Sequence, residues 1–332
     1  MVKYGKDLDM KTILTGIQPT GNGSPHLGNY FGAIKNINRY KNDNTFVMIA
    51  DVHATTVDYV PSQLKQSCKI TYAALVASGI SPDIIFKQSS VPEQMELNSY
   101  IMNFATVGEM TRMTQYKDKS EKFNGFGLLS YPILMAADII AYNSTHIPAG
   151  KDQHQHVQLT QELVRKLNNK FGYDLLNIPS IIIEDGCKIM DLQYPNKKMS
   201  KSSDNQNGII YLMDDLDINI KKIKKAVTDS KPYVEGSLEE QSDGVKNLIQ
   251  LISLFSNISN ENIFNSVVNL RYSSLKEMLI EEVKNKLSPI SINMKEILKD
   301  ENSINNNLLK SSNRSRHYAS ETVNCIKHNL GF

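Results

Sequence analysis

The sequence predicts an α/β fold, a parallel sheet with helices packed on its faces, followed by a second half made only of helices. Three observations carry this. Short β-branched or apolar runs at 12–17, 44–51 and 83–88 alternate with stretches of helical periodicity, and such alternation builds βαβ units and a parallel sheet. The run Asn-Thr-Phe-Val-Met-Ile-Ala-Asp at 44–51 is apolar without a break, as in a strand covered on both faces. Beyond about Gln206 the strand signals stop.

Taken in order, Thr12 to Ile17 reads as the first buried strand. A loop with three glycines and two prolines follows between Gln18 and Asn29, and helical spacing resumes through Tyr30, Phe31, Ala33, Ile34 and Ile37. The second strand ends at Asp51-Val52-His53. Leu64, Ile70, Ala74, Leu75 and Ala77 then mark a helix, and Ile84-Ile85-Phe86 a third strand. Residues 94–142 are mostly helical, with breaks near Gly108 and from Gly125 to Gly127. Thr145 to Pro148 is a short strand, Lys151 to Asn168 a helix, Ile181 to Glu184 a strand, and Cys187 to Asp191 the return of a hairpin. The later helices are expected at 217–227, 242–256, 273–286 and 303–330, with joints at 230–235 and at Ser288-Pro289. No internal repeat is visible.

Composition narrows the class. A chain of 332 residues corresponds to about two domains. No apolar run approaches the ~18–20 residues of a membrane span, and residues 1–11 lack the apolar core of a secretory signal. Cys68, Cys187 and Cys325 are scattered, which suggests neither a disulfide framework nor a Cys-x-x-Cys site and fits a reducing cytoplasm. The net charge of +2 does not announce a nucleic-acid binder, so any RNA-binding surface must be local.

Two segments carry the chemistry. In the first, a strand, a Gly/Pro loop and a helix start bearing His26-Leu27-Gly28-Asn29 follow one another, the layout that aims backbone N–H groups and a helix dipole at a phosphate. It is neither a Walker A loop nor a dinucleotide fingerprint. On these residues alone, His26 and Asn29 read as a helix cap, and for His26 by itself that is the better reading. The second is Lys198-Met199-Ser200-Lys201-Ser202 in a polar loop, where two mobile ammonium groups and small hydroxyl donors suit a polyphosphate. His154 and His156, two apart on a helix, face different ways and do not suggest a metal site.

Together the two segments resemble the "HIGH" and "KMSKS" signatures of class I aminoacyl-tRNA synthetases. Three further segments make the chain similar to the bacterial or organellar tryptophanyl-tRNA synthetases: Gly16-Ile17-Gln18-Pro19-Thr20-Gly21, Tyr131-Pro132-Ile133-Leu134-Met135-Ala136-Ala137-Asp138, and Gly150-Lys151-Asp152-Gln153. The resemblance runs from about Thr12 to the C-terminal helix. It implies a Rossmann-like parallel-sheet catalytic domain (1–205) and a C-terminal all-helical domain (206–332) that binds the tRNA anticodon.

The resemblance also implies roles. Gln18, Pro19, Thr20, Gly28, Asn29, Gly150, Lys151, Asp152, Ile189, Lys198, Met199, Ser200, Lys201 and Ser202 would contact ATP. Among these, Lys198 and Lys201 would stabilise the departing pyrophosphate, with Mg²⁺ bridging its oxygens, while His26 would donate to the α-phosphate. Asp138 would accept from the indole N–H of L-tryptophan, because an indole nitrogen is a donor only. Tyr131, Met135 and Gly16 would shape that pocket, with Tyr131 or Gln153 near the α-amino group. Read without the resemblance, Asp138 is better taken as an acid bonded to a backbone amide or a lysine.

Transfer to the terminal 2′-hydroxyl of tRNA(Trp), a homodimer and a cytoplasmic location follow from the same resemblance. Lys221, Lys222, Lys224, Lys225 and Lys231 form the densest basic run and are the candidates for RNA phosphates. The loop around Gly23-Ser24-Pro25 is slightly longer than in many relatives, and Asn29 stands where the signature has its second histidine. The competing readings are a tyrosyl-tRNA synthetase, a non-catalytic paralogue that binds tRNA or nucleotide, and a small adenylyltransferase, the last disfavoured by the long helical half.

Overall fold

The structure is a computed structural model that describes residues 10–19, 23–119, 125–183, 188–201, 203, 205–229 and 231–332. Five strands, β1 (Thr12–Ile17), β2 (Asn44–Ile49), β3 (Ile85–Lys87), β4 (His146–Ala149) and β5 (Ser180–Ile183), form one sheet in the order β3-β2-β1-β4-β5. All its pairings are parallel, so this is the Rossmann-like arrangement. β2 shows why its sequence is apolar throughout. Phe46 and Met48 enter one apolar cluster and Val47 and Ile49 the other, the period of two expected of a strand buried on both faces.

One face of the sheet is covered by the helices Phe126–Ala141 and His154–Phe171, through Ala136, Ala137, Ile140, Val157 and Leu163. The other is covered by the helix Pro61–Ala77, through Tyr72 and Leu75. A third cluster joins Leu27, Phe31, Ile70 and Ala73 to the helices Asp243–Ser256, Asn260–Val267 and Tyr272–Glu282, so the apolar core is continuous across residue 205.

Three details differ from the sequence reading. The last helix, Glu301–Leu330, lies on the sheet: Ala319, Val323 and Ile326 join one sheet cluster, Ile304 and Leu308 the other. Its Arg314 donates to Asn44 Oδ1 at 2.9 Å and stacks over Phe46, 4.5 Å from the ring centroid. Second, Ser288-Pro289 is no joint. A π-helical turn, Val283–Leu287, runs straight into the helix Ser288–Lys299, so the backbone stays helical through the proline. Third, β5 is a parallel edge strand beside β4, with no hairpin partner among the described residues. The antiparallel partner of the Met190 region is Lys198; Cys187 lies outside the described residues.

The chain ahead of Asp243–Ser256 passes so close to that helix that only glycine fits at 244, where an added Cβ would stand 2.2 Å from the Val227 carbonyl oxygen. Gly244→Ala should therefore destabilise the fold by about 1–3 kcal/mol, as overpacking of a close backbone contact does. Urea unfolding measures it, and a midpoint equal to that of the parent chain would refute the contact.

Candidate active site

Strand order locates the site. The chain builds outward from β1 to β3, then returns to add β4 on the other side of β1. The crevice of an open parallel sheet lies at such a switch point, beyond the carboxyl ends of the strands. A cavity of about 450 Å³ opens there. Leu14, Met48, Met135, Ile139 and Ile147 supply apolar wall, and Gln18, His53, Tyr131, Asp138 and Gln153 supply its polar groups.

Hydrogen bonds stitch the strand ends together along this edge. Gln18, just after β1, donates to the His53 carbonyl beyond β2 at 2.8 Å. The His53 N–H donates to Gln88 Oε1, just after β3, at 3.2 Å. Gln88 Nε2 in turn donates to both oxygens of Asp138, at 3.0 and 2.9 Å. His53 Nε2 lies 2.8 Å from Asp138 Oδ2, and Gln94 Nε2 donates to Oδ1 at 2.9 Å. A carboxylate only accepts, so His53 holds its proton on Nε2. Tyr131, Met135 and Asp138 sit four and three residues apart on the helix Phe126–Ala141, the spacing that lines up one face. The Asp138 side chain is 1% exposed. Burial pushes its carboxyl up from the ordinary range, against the pull of His53 and Gln88, which bond to its charged form.

The helix that follows β1 opens at Leu27. His26 is its cap: Nδ1 accepts from the Gly28 N–H at 3.0 Å, while Asn29 Oδ1 accepts from the His26 N–H at 3.1 Å. The ring folds over residue 28 so closely that a Cβ there would stand 2.8 Å from His26 Cε1. Because Nδ1 accepts, the neutral ring carries its proton on Nε2. Burial, then the charges of Lys201 and Lys198, push the imidazole down from 6.5 to about 4. Burial also pushes the Lys201 ammonium down to about 8. The lysine loop therefore lies against the helix start, with the Met199 carbonyl 4.0 Å from the position a Cβ on Gly28 would take.

The loop is anchored from behind. Met199 N–H donates to the Ile189 carbonyl at 2.9 Å, and Leu192 N–H to Gly208 at 3.0 Å. Asp191, 1% exposed, accepts from the backbone of Gln193 at 2.7 Å and Tyr194 at 3.0 Å, and from Ser203 Oγ at 3.2 Å. It also fills the space a side chain on Gly208 would need, 1.8 Å from the ideal Cβ.

The fold thus brings the sequence-predicted residues into two adjoining groups. Gly16, Gln18, Tyr131, Met135, Asp138, Gly150 and Gln153 line the cavity. His26, Gly28, Asn29, Lys198, Met199 and Lys201 meet at the helix start. Ser200 is exposed on the same loop. Lys151 and Asp152 are exposed beside the cavity, where Asp152 accepts from Gln153. Ile189 is fully buried in the core, so only its backbone faces the loop. Pro19 borders a second, smaller cavity with Val57 and Tyr59. Thr20 and Ser202 lie outside the described residues.

Sequence reading missed Gln88, Gln94 and His156. Gln88 had a signal, since it directly follows a parallel strand; Gln94 and His156 had none. Lys222 is a correction: it is 8% exposed and donates to the Ile209 carbonyl and to Asp214, each at 2.7 Å, so it is an internal tie and not an RNA contact. Among the described residues no His, Cys, Asp and Glu side chains gather as a metal site. None of the described helices is long and apolar enough to cross a membrane.

A parallel sheet with its crevice at the switch point, a capped helix start and a facing lysine loop define a nucleotide-handling α/β protein of the class I synthetase type. The comparisons agree: the family of class I tRNA synthetases for W and Y matches residues 8–288, and the chain belongs to it. It is 41% identical over 330 residues to the tryptophan–tRNA ligase of Rickettsia conorii, covering 97% of this chain and 99% of that one. With the ligase of Clostridium tetani it shares 38% over 328 residues, covering 97% and 96%. The tryptophanyl-tRNA synthetase of Mycoplasma pneumoniae superimposes with a TM-score of 0.82 at 33% identity, over 97% of this chain and 98% of that one. That of Campylobacter jejuni, solved with ADP and tryptophan, gives 0.83 at 29% identity, over 97% and 100%.

The lowered His26 value sets a pH dependence. Between pH 6.5 and about 4 the unfolded chain takes up a proton on this ring that the folded chain refuses. The stability His26 contributes is therefore complete above 6.5 and is lost as pH falls towards 4. Urea unfolding of the ligand-free protein at pH 7.5 and 5 should show a loss larger in the parent than in His26→Gln by on the order of 1–2 kcal/mol. Equal losses would refute the assignment.

Proposed function

We propose that the chain is a tryptophan–tRNA ligase that makes tryptophanyl-adenylate from L-tryptophan and ATP. What supports this most is the lysine loop laid against the His26–Gly28 helix start, next to a cavity whose one buried charge is an acceptor-only carboxylate. The indole enters the apolar part of the cavity and its N–H meets Asp138. Its carboxylate attacks the α-phosphorus of ATP and pyrophosphate leaves. No covalent bond to the protein is needed; the work is positioning and stabilisation of charge on the phosphoryl oxygens.

Lys198 and Lys201 take the charge of the leaving pyrophosphate. His26, with its proton on Nε2, donates to the α-phosphate, and the Gly28–Asn29 turn and the Gly150–Asp152 segment hold the rest of the nucleotide. Mg²⁺, carried on the nucleotide, neutralises phosphate oxygens when bound. The terminal 2′-hydroxyl of tRNA(Trp) then attacks the carbonyl carbon of the adenylate, the acyl–phosphate bond breaks and AMP leaves. Exposed Lys221, Lys224, Lys225 and Lys231, in the helical region of 206–332, serve the RNA phosphates. The enzyme works in the cytoplasm as a homodimer, as the family resemblance implies.

ATP–pyrophosphate exchange with each amino acid in turn tests this. Tryptophan should drive exchange. Exchange with tyrosine instead would overturn the substrate, and none with any amino acid would favour a non-catalytic paralogue. Asp138→Asn should raise KM for tryptophan roughly ten- to a hundredfold, the value of a hydrogen bond to a charged group, and leave KM for ATP within about twofold; equal rises in both would remove Asp138 from indole recognition. Lys201→Ala should lower kcat about a hundredfold or more, the scale of losing a charge-stabilising group; an unchanged rate would remove it from the mechanism.

A further inference from the structure

We propose that His156, which does not line the cavity, is the positioning residue that makes the Tyr131 oxygen an acceptor for the α-ammonium group of the amino acid. This rests on the ligase reading above and assigns polarity within it. At the surface, the carboxylate of Asp152 only accepts. Gln153 Nε2 lies 2.7 Å from Asp152 Oδ2, so the amide nitrogen faces the acid and the amide oxygen faces inward. That oxygen is 2.9 Å from His156 Nδ1, which must therefore carry the ring proton. A neutral imidazole has one N–H, and this ring is 1% exposed, where a second proton would bury a charge. Nε2 is therefore bare.

Tyr131 Oη lies 2.8 Å from that bare nitrogen and so donates its proton to it. The Gln115 amide oxygen is 3.0 Å from the same hydroxyl, and one proton cannot serve both. A bare ring nitrogen left buried without a donor costs about 1–3 kcal/mol, whereas a half-buried amide can turn its N–H₂ end to the phenol oxygen. Burial, and then Asp152, push the phenol up to about 12, so the hydroxyl keeps its proton throughout the working pH range. With the proton turned away from the cavity, Tyr131 presents a lone pair there. An ammonium group is donor only and is matched by that lone pair; a hydroxyl free to point inward would oppose it.

The test compares two ligands that share indole and carboxylate and differ in the ammonium: KM of L-tryptophan in exchange, and Ki of indole-3-propionate as competitor. His156→Phe keeps a ring of similar size and removes both nitrogens. It should raise KM for tryptophan about tenfold, the scale of one hydrogen bond to a charged group, and leave Ki of indole-3-propionate within about twofold. His156→Gln, whose amide oxygen reaches the Nε2 position, should restore most of the difference. Tyr131→Phe, with His156 intact, should shift the same ratio, and the double variant no further. Parallel losses for both ligands would mean that His156 only supports the fold, and an unchanged ratio in Tyr131→Phe would overturn the inference even if His156→Phe does not fold. Exchange by the unaltered enzyme is measured first; its failure with tryptophan strikes the functional reading itself, and this inference with it.

Discussion

Two backbone hydrogen bonds, Leu27 N–H to the Ile210 carbonyl at 3.0 Å and Leu212 N–H to the Pro25 carbonyl at 2.9 Å, clamp the helix start against the segment that closes the lysine loop. They join residues almost two hundred positions apart, and they do so among fully buried Leu27, Ile210 and Leu212. Each contributes only about 1 kcal/mol net, but leaving either buried partner unmade costs about 1–3 kcal/mol. The register is thus fixed more by the cost of breaking it than by the gain of making it. Lys222 reinforces the same strip by holding the Ile209 carbonyl and Asp214, whose carboxylate also accepts from the Tyr211 N–H at 3.3 Å.

The clamp forces like charges together. Lys198 and Lys201 both disfavour a proton on His26, and burial disfavours the charge on Lys201. On the proposed ligase reading this arrangement would favour a triphosphate, because the potential is built before the ligand arrives and needs no rearrangement as charge develops. A polyphosphate placed between these groups reverses each penalty. The ammonium would face the charge of the phosphate, and the His26 Nε2–H would have a phosphate oxygen to donate to. Asp191, set behind the loop on backbone amides of Gln193 and Tyr194, keeps that geometry without placing a negative charge at the phosphate side.

Much of this was legible in the sequence because the relevant signals are local. Apolar runs gave the strands, and the Gly/Pro loop and the lysine pentapeptide each carry their chemistry in a few adjacent residues. The strand order supplied the rest of the crevice, since residues just past parallel strands gather at one edge. Gln88 could have been found by that rule alone. What stayed hidden depends on tertiary partners. Gln94 and His156 look like any helix residues until their neighbours are known. Lys222 looks like its exposed neighbours Lys221 and Lys224, yet its position on the inner face of the helix Leu216–Lys224 turns it to a carbonyl and an acid. Likewise the pattern of the last helix gives an apolar stripe without saying whether a helix or the sheet will cover it.

The arrangement around Asp138 also bears on which ring the cavity selects. A carboxylate alone does not separate indole from phenol, since both can donate a proton to it. The difference lies in the lone pairs of the phenol oxygen, which need donors of their own. Gln88 Nε2, Gln94 Nε2 and His53 Nε2 all direct their donors at Asp138. A phenol pushed to the same depth would bury an oxygen without a donor, and a site whose polar groups cannot pair with a ligand rejects it more strongly than shape alone does. An indole N–H has no lone pair to satisfy. On the proposed ligase reading, the network that holds the carboxylate would have a second effect, removing the partners that a tyrosine would need, and selectivity would rest on the glutamines and the histidine as much as on the acid they surround.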